Sequence, residues 1–200
     1  MKILIIGGTG TIGKEVVQLL DQEHEVITVG NTTGEHTVDI SNKDSIQDLF
    51  KNVGQVDAIF NISGQGEFGK FDDKNNTGYE LSWNNKVMGQ VNLVRIGLDY
   101  LKTGGSITLT SGSSAKNPNP GTASISMACA AIDAFVATAA LEISDDRKIN
   151  VVSPGFVKET MELLGMDSST GIPAKEVATY YQKSLLGNTN GQVFDAILGA

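Results

Sequence analysis

The segment Gly7-Gly8-Thr9-Gly10-Thr11-Ile12-Gly13 constrains the fold more than any other part of the chain. It follows a short apolar run, Lys2–Ile6, which predicts a strand covered on both faces, and it precedes an amphipathic segment from Thr11 to about Asp21. Glycines between a strand and a helix let backbone N–H groups approach a pyrophosphate at the helix N-terminus. A purely structural turn is the alternative, but it would need fewer glycines. The expected dinucleotide contacts are Gly7, Thr9, Gly10, Thr11, Ile12 and Gly13.

Apolar runs and helical periodicities alternate along the rest of the chain. The predicted strands are Lys2–Ile6, Glu25–Val29, His36–Ile40, Val56–Ile59, Gly105–Thr110, Ile149–Val152 and Gln192–Phe194, and the predicted helices are Thr11–Asp21, Lys43–Asn52, Tyr79–Leu101, Thr122–Ile143 and Pro173–Leu185. Ser41 is predicted to cap the second helix. The gap between the second and third strands is short for the usual helical crossover, which implies a trimmed or helix-free crossover. This pattern predicts an α/β fold: a Rossmann-type doubly wound, mainly parallel sheet of about seven strands flanked by helices, with its ligand site at the carboxyl ends of the strands.

Composition limits the class of partner. The 200 residues, 40% of them apolar, fit one domain spanning 1–200, and 15 basic against 23 acidic residues give a net charge of −8 that disfavours nucleic acid. A single cysteine, Cys129, with His24 and His36 far apart, predicts neither a disulfide nor a metal site. The apolar run at the N-terminus is shorter than a signal-peptide core or a membrane span. We therefore expect a cytoplasmic protein that binds a small molecule, without a membrane partner.

The end of the second predicted strand bears on the choice of cofactor. An acidic side chain at this place commonly binds the adenosine ribose of NAD, but the strand is followed by Asn31, Thr32 and Thr33. No carboxylate would repel a 2′-phosphate, and these three side chains can donate hydrogen bonds to it. The sequence favours NADP over NAD, while a plain polar turn remains the alternative.

Motifs after the later strands resemble those of the short-chain dehydrogenase/reductase family, and the resemblance extends from the glycine loop to the C-terminus. Asn61-Ile62-Ser63-Gly64 is similar to the Asn-Asn-Ala-Gly segment of the family, and Gly104–Ser111 is similar to its fifth strand, which ends in the catalytic serine. Pro154-Gly155-Phe156-Val157 resembles the turn that flanks the nicotinamide, with Thr160 near the position of the following threonine. The cofactor contacts that the resemblance implies are Asp39 at the adenine with Ile40 beside it, Asn61, Ser63, Gly64, Pro154, Gly155 and Val157.

The same resemblance implies that the catalytic set is altered. The family uses serine to orient the substrate oxygen, tyrosine as acid and base, and lysine to lower the pKa of the tyrosine. No Tyr-x-x-x-Lys pair is present here, and matching the helix after the fifth strand places Ile125 and Cys129 at the two positions. Matching the preceding helix places Lys86 where the family has an asparagine. Of the four family residues, only Ser111 remains.

Two functional hypotheses follow. In the first, the protein is an NADP-dependent oxidoreductase for a small carbonyl or alcohol, in which Lys86 supplies a cation or proton beside Ser111. In the second, it binds NADP without turnover as a sensor or scaffold. Members of the family usually associate through their fourth and fifth helices, which implies a homodimer or homotetramer here.

Overall fold

A computed structural model of the chain describes residues 1–197. Seven strands form one sheet in the order β3-β2-β1-β4-β5-β6-β7, and every neighbouring pair is parallel. The strands are β1 Lys2–Ile6, β2 Glu25–Gly30, β3 His36–Thr37, β4 Val56–Asn61, β5 Leu101–Thr110, β6 Lys148–Pro154 and β7 Val193–Ala196. The order reverses between β1 and β4, which creates a crevice at their carboxyl ends. The predicted Rossmann-type fold and strand number are confirmed.

Helices cover both faces of the sheet because the central strands are apolar on both sides. In β1, Ile3 and Ile5 face one apolar cluster while Leu4 and Ile6 face the other, and all four are buried. The helices are α1 Thr11–Leu20, α2 Lys43–Val53, α3 Gly78–Leu81, α4 Met88–Gly97, α5 Ala123–Glu142, α6 Lys158–Leu163 and α7 Ala174–Leu186. Buried side chains of α2, α4 and α5 share the cluster of Leu4 and Ile6, and those of α1 and α7 share the cluster of Ile3 and Ile5.

The crossover from β2 to β3 contains no helix, as the short spacing predicted. The predicted third strand was too long at its carboxyl end, because only His36 and Thr37 pair with β2. Val38 still donates to the Gly30 carbonyl at 2.9 Å, and the chain then turns away through Asp39. This edge of the sheet is therefore short and leaves the cleft beside it open.

The predicted cap of α2 is wrong. Asn42, not Ser41, precedes the helix, and its side-chain oxygen accepts from Asp44 N at 2.9 Å and Ser45 N at 3.3 Å. Ser41 instead donates its hydroxyl to Asp39 Oδ1 at 2.6 Å. An amide and a hydroxyl are both good capping groups, so composition alone did not separate the two neighbours.

The predicted continuous helix Tyr79–Leu101 is interrupted. A π-helical turn, Ser82–Val87, separates α3 from α4, and Met88 N donates to the Trp83 carbonyl five residues earlier. The helix ends at Gly97, and Leu101 already begins β5. π-Helical turns are rare and occur often at functional sites. This one carries Lys86.

Within residues 1–197, α5 alone is long and apolar enough to cross a membrane by length and composition. The same test is passed by core helices, and α5 buries Ala128, Cys129, Ile132 and Val136 inside the protein.

Candidate active site

A cleft of about 790 Å³ lies at the carboxyl ends of β1, β2 and β4. Three residues of the glycine loop line it: Gly7, Thr9 and Gly10. From the adenosine side it is lined by Asn31, Asp39 and Ile40, and from the loop after β4 by Ser63 and Gly64. The structure thus brings together, around one crevice, residues that the sequence predicted from four separate motifs.

The glycine loop fits tightly around the start of α1. Gly7 adopts a φ of +84° and donates from its N–H to the Val29 carbonyl at 2.8 Å. A Cβ on Gly13 would collide with the Gly7 carbonyl oxygen, so only glycine permits this approach of helix to strand. No side chain caps α1, whose first turn consists of Thr11, Ile12 and Gly13. These three residues do not line the cleft, but the uncapped first-turn N–H groups suit an anion.

The adenosine end of the cleft is polar and poor in positive charge. Asn31 lines it, whereas Thr32 and Thr33 are exposed outside it. Asp39 Oδ1 accepts from Ser41 N at 2.9 Å, which holds the loop after β3. Among the described residues that line this cleft, the charged ones are Asp39 and Glu80, and none is lysine or arginine.

Asn61 is fully buried and supports the cleft from below. Its side-chain amide donates to the Ser63 carbonyl at 3.2 Å, and its Oδ1 accepts from the Ser63 hydroxyl at 2.6 Å. Its own carbonyl accepts from the Thr110 hydroxyl at 2.6 Å. Asn61 therefore fixes the loop that follows β4 and ties it to β5.

A second cavity of about 280 Å³ adjoins the first, and Gly64 lines both. Lys86 and Ser111 line this second cavity, and so do Ile125 and Cys129. The turn after β6 closes another side, so that Pro154, Gly155 and Val157 line the second cavity and not the first cleft. Two long loops and three helical segments thus converge where the sheet ends.

Lys86 projects into this region from the π-helical turn. Only 8% of its surface is exposed, and Nζ lies 3.4 Å from the Thr110 carbonyl oxygen, which is a long hydrogen bond. Within the described chain it has no salt bridge. Burial lowers the pKa of the Lys86 ammonium below its ordinary value, although Cys129 and Asp133 act in the opposite direction. The structure therefore holds a lysine from which a proton is more easily removed than from one in water.

Ser111 and Asp133 lie beside this lysine. The Ser111 hydroxyl is buried without a hydrogen-bond partner in the described chain, as is Oδ1 of Asp133. Burial raises the pKa of the Asp133 carboxyl, and the nearby Ser111 hydroxyl lowers it in part, although no hydrogen bond between the two meets normal geometric limits. The sequence analysis missed Asp133. Its position one helical turn after Cys129, on the same face of α5, was the available signal.

The Thr110 peptide holds the base of the site. Gln90 donates from Nε2 to the Thr110 carbonyl at 2.9 Å and accepts from Thr110 N at 3.1 Å. The Thr110 hydroxyl also bonds the Tyr181 hydroxyl at 2.6 Å, across the sheet on α7. Burial raises the pKa of Tyr181, which keeps it neutral. Lys86 therefore lies against a backbone segment that is fixed from both faces of the sheet.

This arrangement is suited to stabilising a negative oxygen. A buried ammonium and a hydroxyl without a partner in the described chain line one cavity next to the first cleft, and both can donate to a negative oxygen. Within residues 1–197, no group of three or more His, Cys, Asp or Glu side chains is placed to hold a metal ion.

Comparisons with known proteins agree with this geometry. A family model described as enoyl-(acyl carrier protein) reductase matches residues 12–189. The comparison with curated proteins gave no match. Among solved structures, the protein lin1944 from Listeria innocua is 38% identical, with a TM-score of 0.92 over 98% of each chain.

Two further structures are described as dehydrogenases. A small-chain dehydrogenase in complex with NADPH is 28% identical, with a TM-score of 0.88 over 98% of this chain and 96% of the other. A short chain dehydrogenase family protein from Francisella tularensis is 20% identical, with a TM-score of 0.81 over 97% of this chain and 96% of the other, and shows the fold alone. The match over most of the chain, together with the sheet order and the glycine loop, leads to one conclusion: this chain belongs to the short-chain dehydrogenase/reductase family.

Proposed function

We propose that the protein is an NADP(H)-dependent oxidoreductase that acts in the cytoplasm on a small carbonyl or alcohol substrate. Ser111 and Lys86 are its catalytic residues in this proposal. The observation that carries it is the placement of both side chains in a cavity that shares Gly64 with the cofactor cleft. A cofactor in the cleft and a substrate in the cavity would therefore be neighbours.

The residues present fit the cofactor. The glycine loop has no room for a Cβ at Gly13, and the N-terminus of α1 is uncapped, so its N–H groups are available for the pyrophosphate. In its reduced form the nicotinamide supplies a hydride. Pro154, Gly155 and Val157 would flank it from the substrate side, and Asn61 would hold the loop that carries Ser63 and Gly64.

The preference for NADP rests on the end of β2. Asn31 lines the cleft there, and no carboxylate follows the strand until Glu35, whose side chain accepts from Thr28 N at 3.0 Å. A 2′-phosphate in the cleft would meet the amide of Asn31, and the hydroxyls of Thr32 and Thr33 are exposed to solvent next to it in the chain. The NADPH complex of the dehydrogenase that is 28% identical supports the same cofactor.

The chemistry assigned to the side chains is that of oxyanion stabilisation. Ser111 would donate its unpartnered hydroxyl to the substrate oxygen, and the Lys86 ammonium would stabilise the negative charge and deliver a proton to it. Ile125 would contribute only an apolar wall, and Cys129 would lie beside the lysine. In this proposal Ser111 keeps the role of the family serine, and Lys86 takes over the proton transfer that tyrosine performs in most of the family.

A titration of NADPH and NADH, followed by a panel of carbonyl compounds, tests the proposal. We expect tighter binding of NADPH and its oxidation by at least one carbonyl compound, with kcat/KM reduced about 100-fold in Lys86→Met and in Ser111→Ala. Lys175→Met, an exposed lysine on α7, is the matched control and should behave like the wild type. NADPH binding without turnover of any compound would instead favour the sensor hypothesis, and absence of NADPH binding would overturn both.

A further inference from the structure

Two half-exposed phenylalanines form one wall of the cavity that contains Lys86. Phe68, from the loop after β4, is 51% exposed, and Phe156, from the turn after β6, is 40% exposed. Their ring centroids are 6.5 Å apart and their planes differ by 14°. Large apolar rings that are exposed to water around a cavity favour ligand binding, because covering them lowers the free energy of the complex. Two nearly parallel rings favour a flat ligand.

The polar groups of the cavity lie at two levels. Ser111 and Lys86 are buried at its base, whereas Asn117 and Asn119 are exposed amide side chains at its rim. Lys86 is the only charged residue among those described that line it. A ligand with one carbonyl oxygen for the base and a second for the rim would meet hydrogen-bond donors at both ends.

The groups available to donate a proton narrow the class of possible substrates further. Among the described residues that line this cavity, Lys86 is the only amine, and neither a carboxyl group nor a tyrosine lines it. Hydride addition to a simple ketone gives an alkoxide, which is about as basic as hydroxide, so its charge must be protonated or strongly stabilised as it forms. Hydride addition to a quinone gives a phenolate-type anion, whose conjugate acid has a pKa of about 10, like that of tyrosine. Reduction of a quinone therefore requires much less stabilisation of the product anion by this site than reduction of a simple ketone does.

We propose that the cavity binds a neutral planar quinone, held flat against Phe68 and Phe156 with one carbonyl oxygen at Ser111 and Lys86. The inference rests on the proposed function for its chemistry. In the reaction, a C–H bond of reduced nicotinamide breaks, and the hydride, which carries both electrons, forms an O–H bond at the second carbonyl oxygen of the quinone. The resulting hydroquinone monoanion takes one proton from Lys86, which regains a proton from water. The quinone is reduced to hydroquinone and the nicotinamide is oxidised.

Binding to the complex of the protein with NADP⁺ tests the ligand class without relying on turnover. The probe is 2,3-dimethyl-1,4-naphthoquinone, in which both carbons of the quinone ring that would accept a thiol such as that of Cys129 are already methylated. The matched compound is decalin-1,4-dione, which keeps the two carbonyl groups but is saturated and puckered. We expect the quinone to bind about tenfold more tightly by calorimetry.

Leucine substitutions test the aromatic wall. Phe68→Leu and Phe156→Leu should each weaken quinone binding about threefold to tenfold and leave binding of the saturated dione unchanged. Phe71→Leu is the control, because Phe71 lies on the same loop, is 82% exposed and does not line the cavity. Equal affinity for the two diones, no binding of the quinone, or an equal loss in Phe71→Leu would overturn the inference. Quinone binding without oxidation of NADPH by the quinone or by any compound of the carbonyl panel would keep the ligand class and overturn the proposed function.

Discussion

Lys86 combines burial with a long hydrogen bond and no salt bridge in the described chain. A cation in such surroundings destabilises the folded state, because it has lost water and gained little in exchange. A buried charge that lowers stability is expected where function requires the charge, because the fold alone does not need it.

Lys86→Met should therefore stabilise the protein while it removes activity. The flexible apolar side chain fills a similar volume without the desolvated charge, and we expect Tm at pH 7 to rise by about 2–4 °C, which corresponds to about 1 kcal/mol for a chain of this size. Lys175→Met, at an exposed position, should leave Tm nearly unchanged. If Tm falls in Lys86→Met but not in Lys175→Met, Lys86 stabilises the folded state.

The pH dependence of stability provides a second measurement on the same variant. Because the pKa of Lys86 is lowered in the folded state, the unfolded chain binds more protons between the folded and unfolded pKa values. Stability contributed by this group therefore rises with pH through that window, up to the ordinary lysine pKa of about 10.4. Denaturant titrations of Lys86→Met should lack this rise.

At the residue scale, sequence reasoning found some groups of the site and missed others. Ser111 could be predicted because it directly follows the apolar run of β5, and Lys86 because counting along the predicted helix placed it at the asparagine position of the family. Asp133 and Phe156 were not predicted as site residues. Asp133 reaches the site only through the packing of α5 against β6, and Phe156 faces the cavity only because the turn after β6 brings it next to Phe68.

At the scale of single elements, replacing a glycine at the start of α1 by alanine tests the packing, because the sign of the change in stability separates helix propensity from steric collision. Alanine normally stabilises a helix relative to glycine by about 1 kcal/mol. At Gly13 the added methyl group would collide with the Gly7 carbonyl, so we expect Gly13→Ala to lower the free energy of unfolding by about 1–3 kcal/mol and to weaken NADPH binding.

Gln18→Ala in the same helix is the control for this substitution. Gln18 is exposed, so its replacement should change stability by less than about 0.5 kcal/mol and leave cofactor binding intact. Chemical denaturation and a fluorescence titration measure the two quantities. A Gly13→Ala protein as stable as the wild type would mean that α1 can move away from β1.

Elements with one strong periodicity were predictable, and elements defined by tertiary contacts were not. Continuous apolar runs predicted β1 and β4, and helical spacing predicted α5. The π-helical turn depends on contacts between distant residues, such as the hydrogen bond at 2.8 Å from Gln65 N to Asn85 Oδ1, which no local pattern reveals. α6 was missed because it is six residues long and exposes Leu163, leaving no apolar face to detect.

At the scale of the whole molecule, the outer face of α5 is apolar and uncovered. Met127, Ala130, Ala134 and Leu141 are exposed along it at helical spacing. Helices with small side chains can approach one another closely, which suits the symmetric association through α4 and α5 that the family implies.

We expect the protein to be a homodimer or homotetramer at micromolar concentration, with at least twice the mass of one chain in light scattering. Ala134→Glu should reduce that mass to one chain, because two copies of the carboxylate would face each other across a symmetric contact. Leu186→Glu, at an exposed position on α7, should leave the mass unchanged. A wild-type protein with the mass of one chain at every concentration would contradict the association.

The Thr110 peptide has a consequence for how this protein can change over generations. The side-chain hydroxyl of Thr110 bonds the Tyr181 hydroxyl on one side of the sheet, and its carbonyl accepts from Gln90 and Lys86 on the other. The helix layer that contains α7 is thus joined through Thr110 to the lysine that we propose as the proton donor. Substitutions in α7 can therefore change the alignment of that lysine during adaptation to a new substrate. The residues that line the cavity can stay the same.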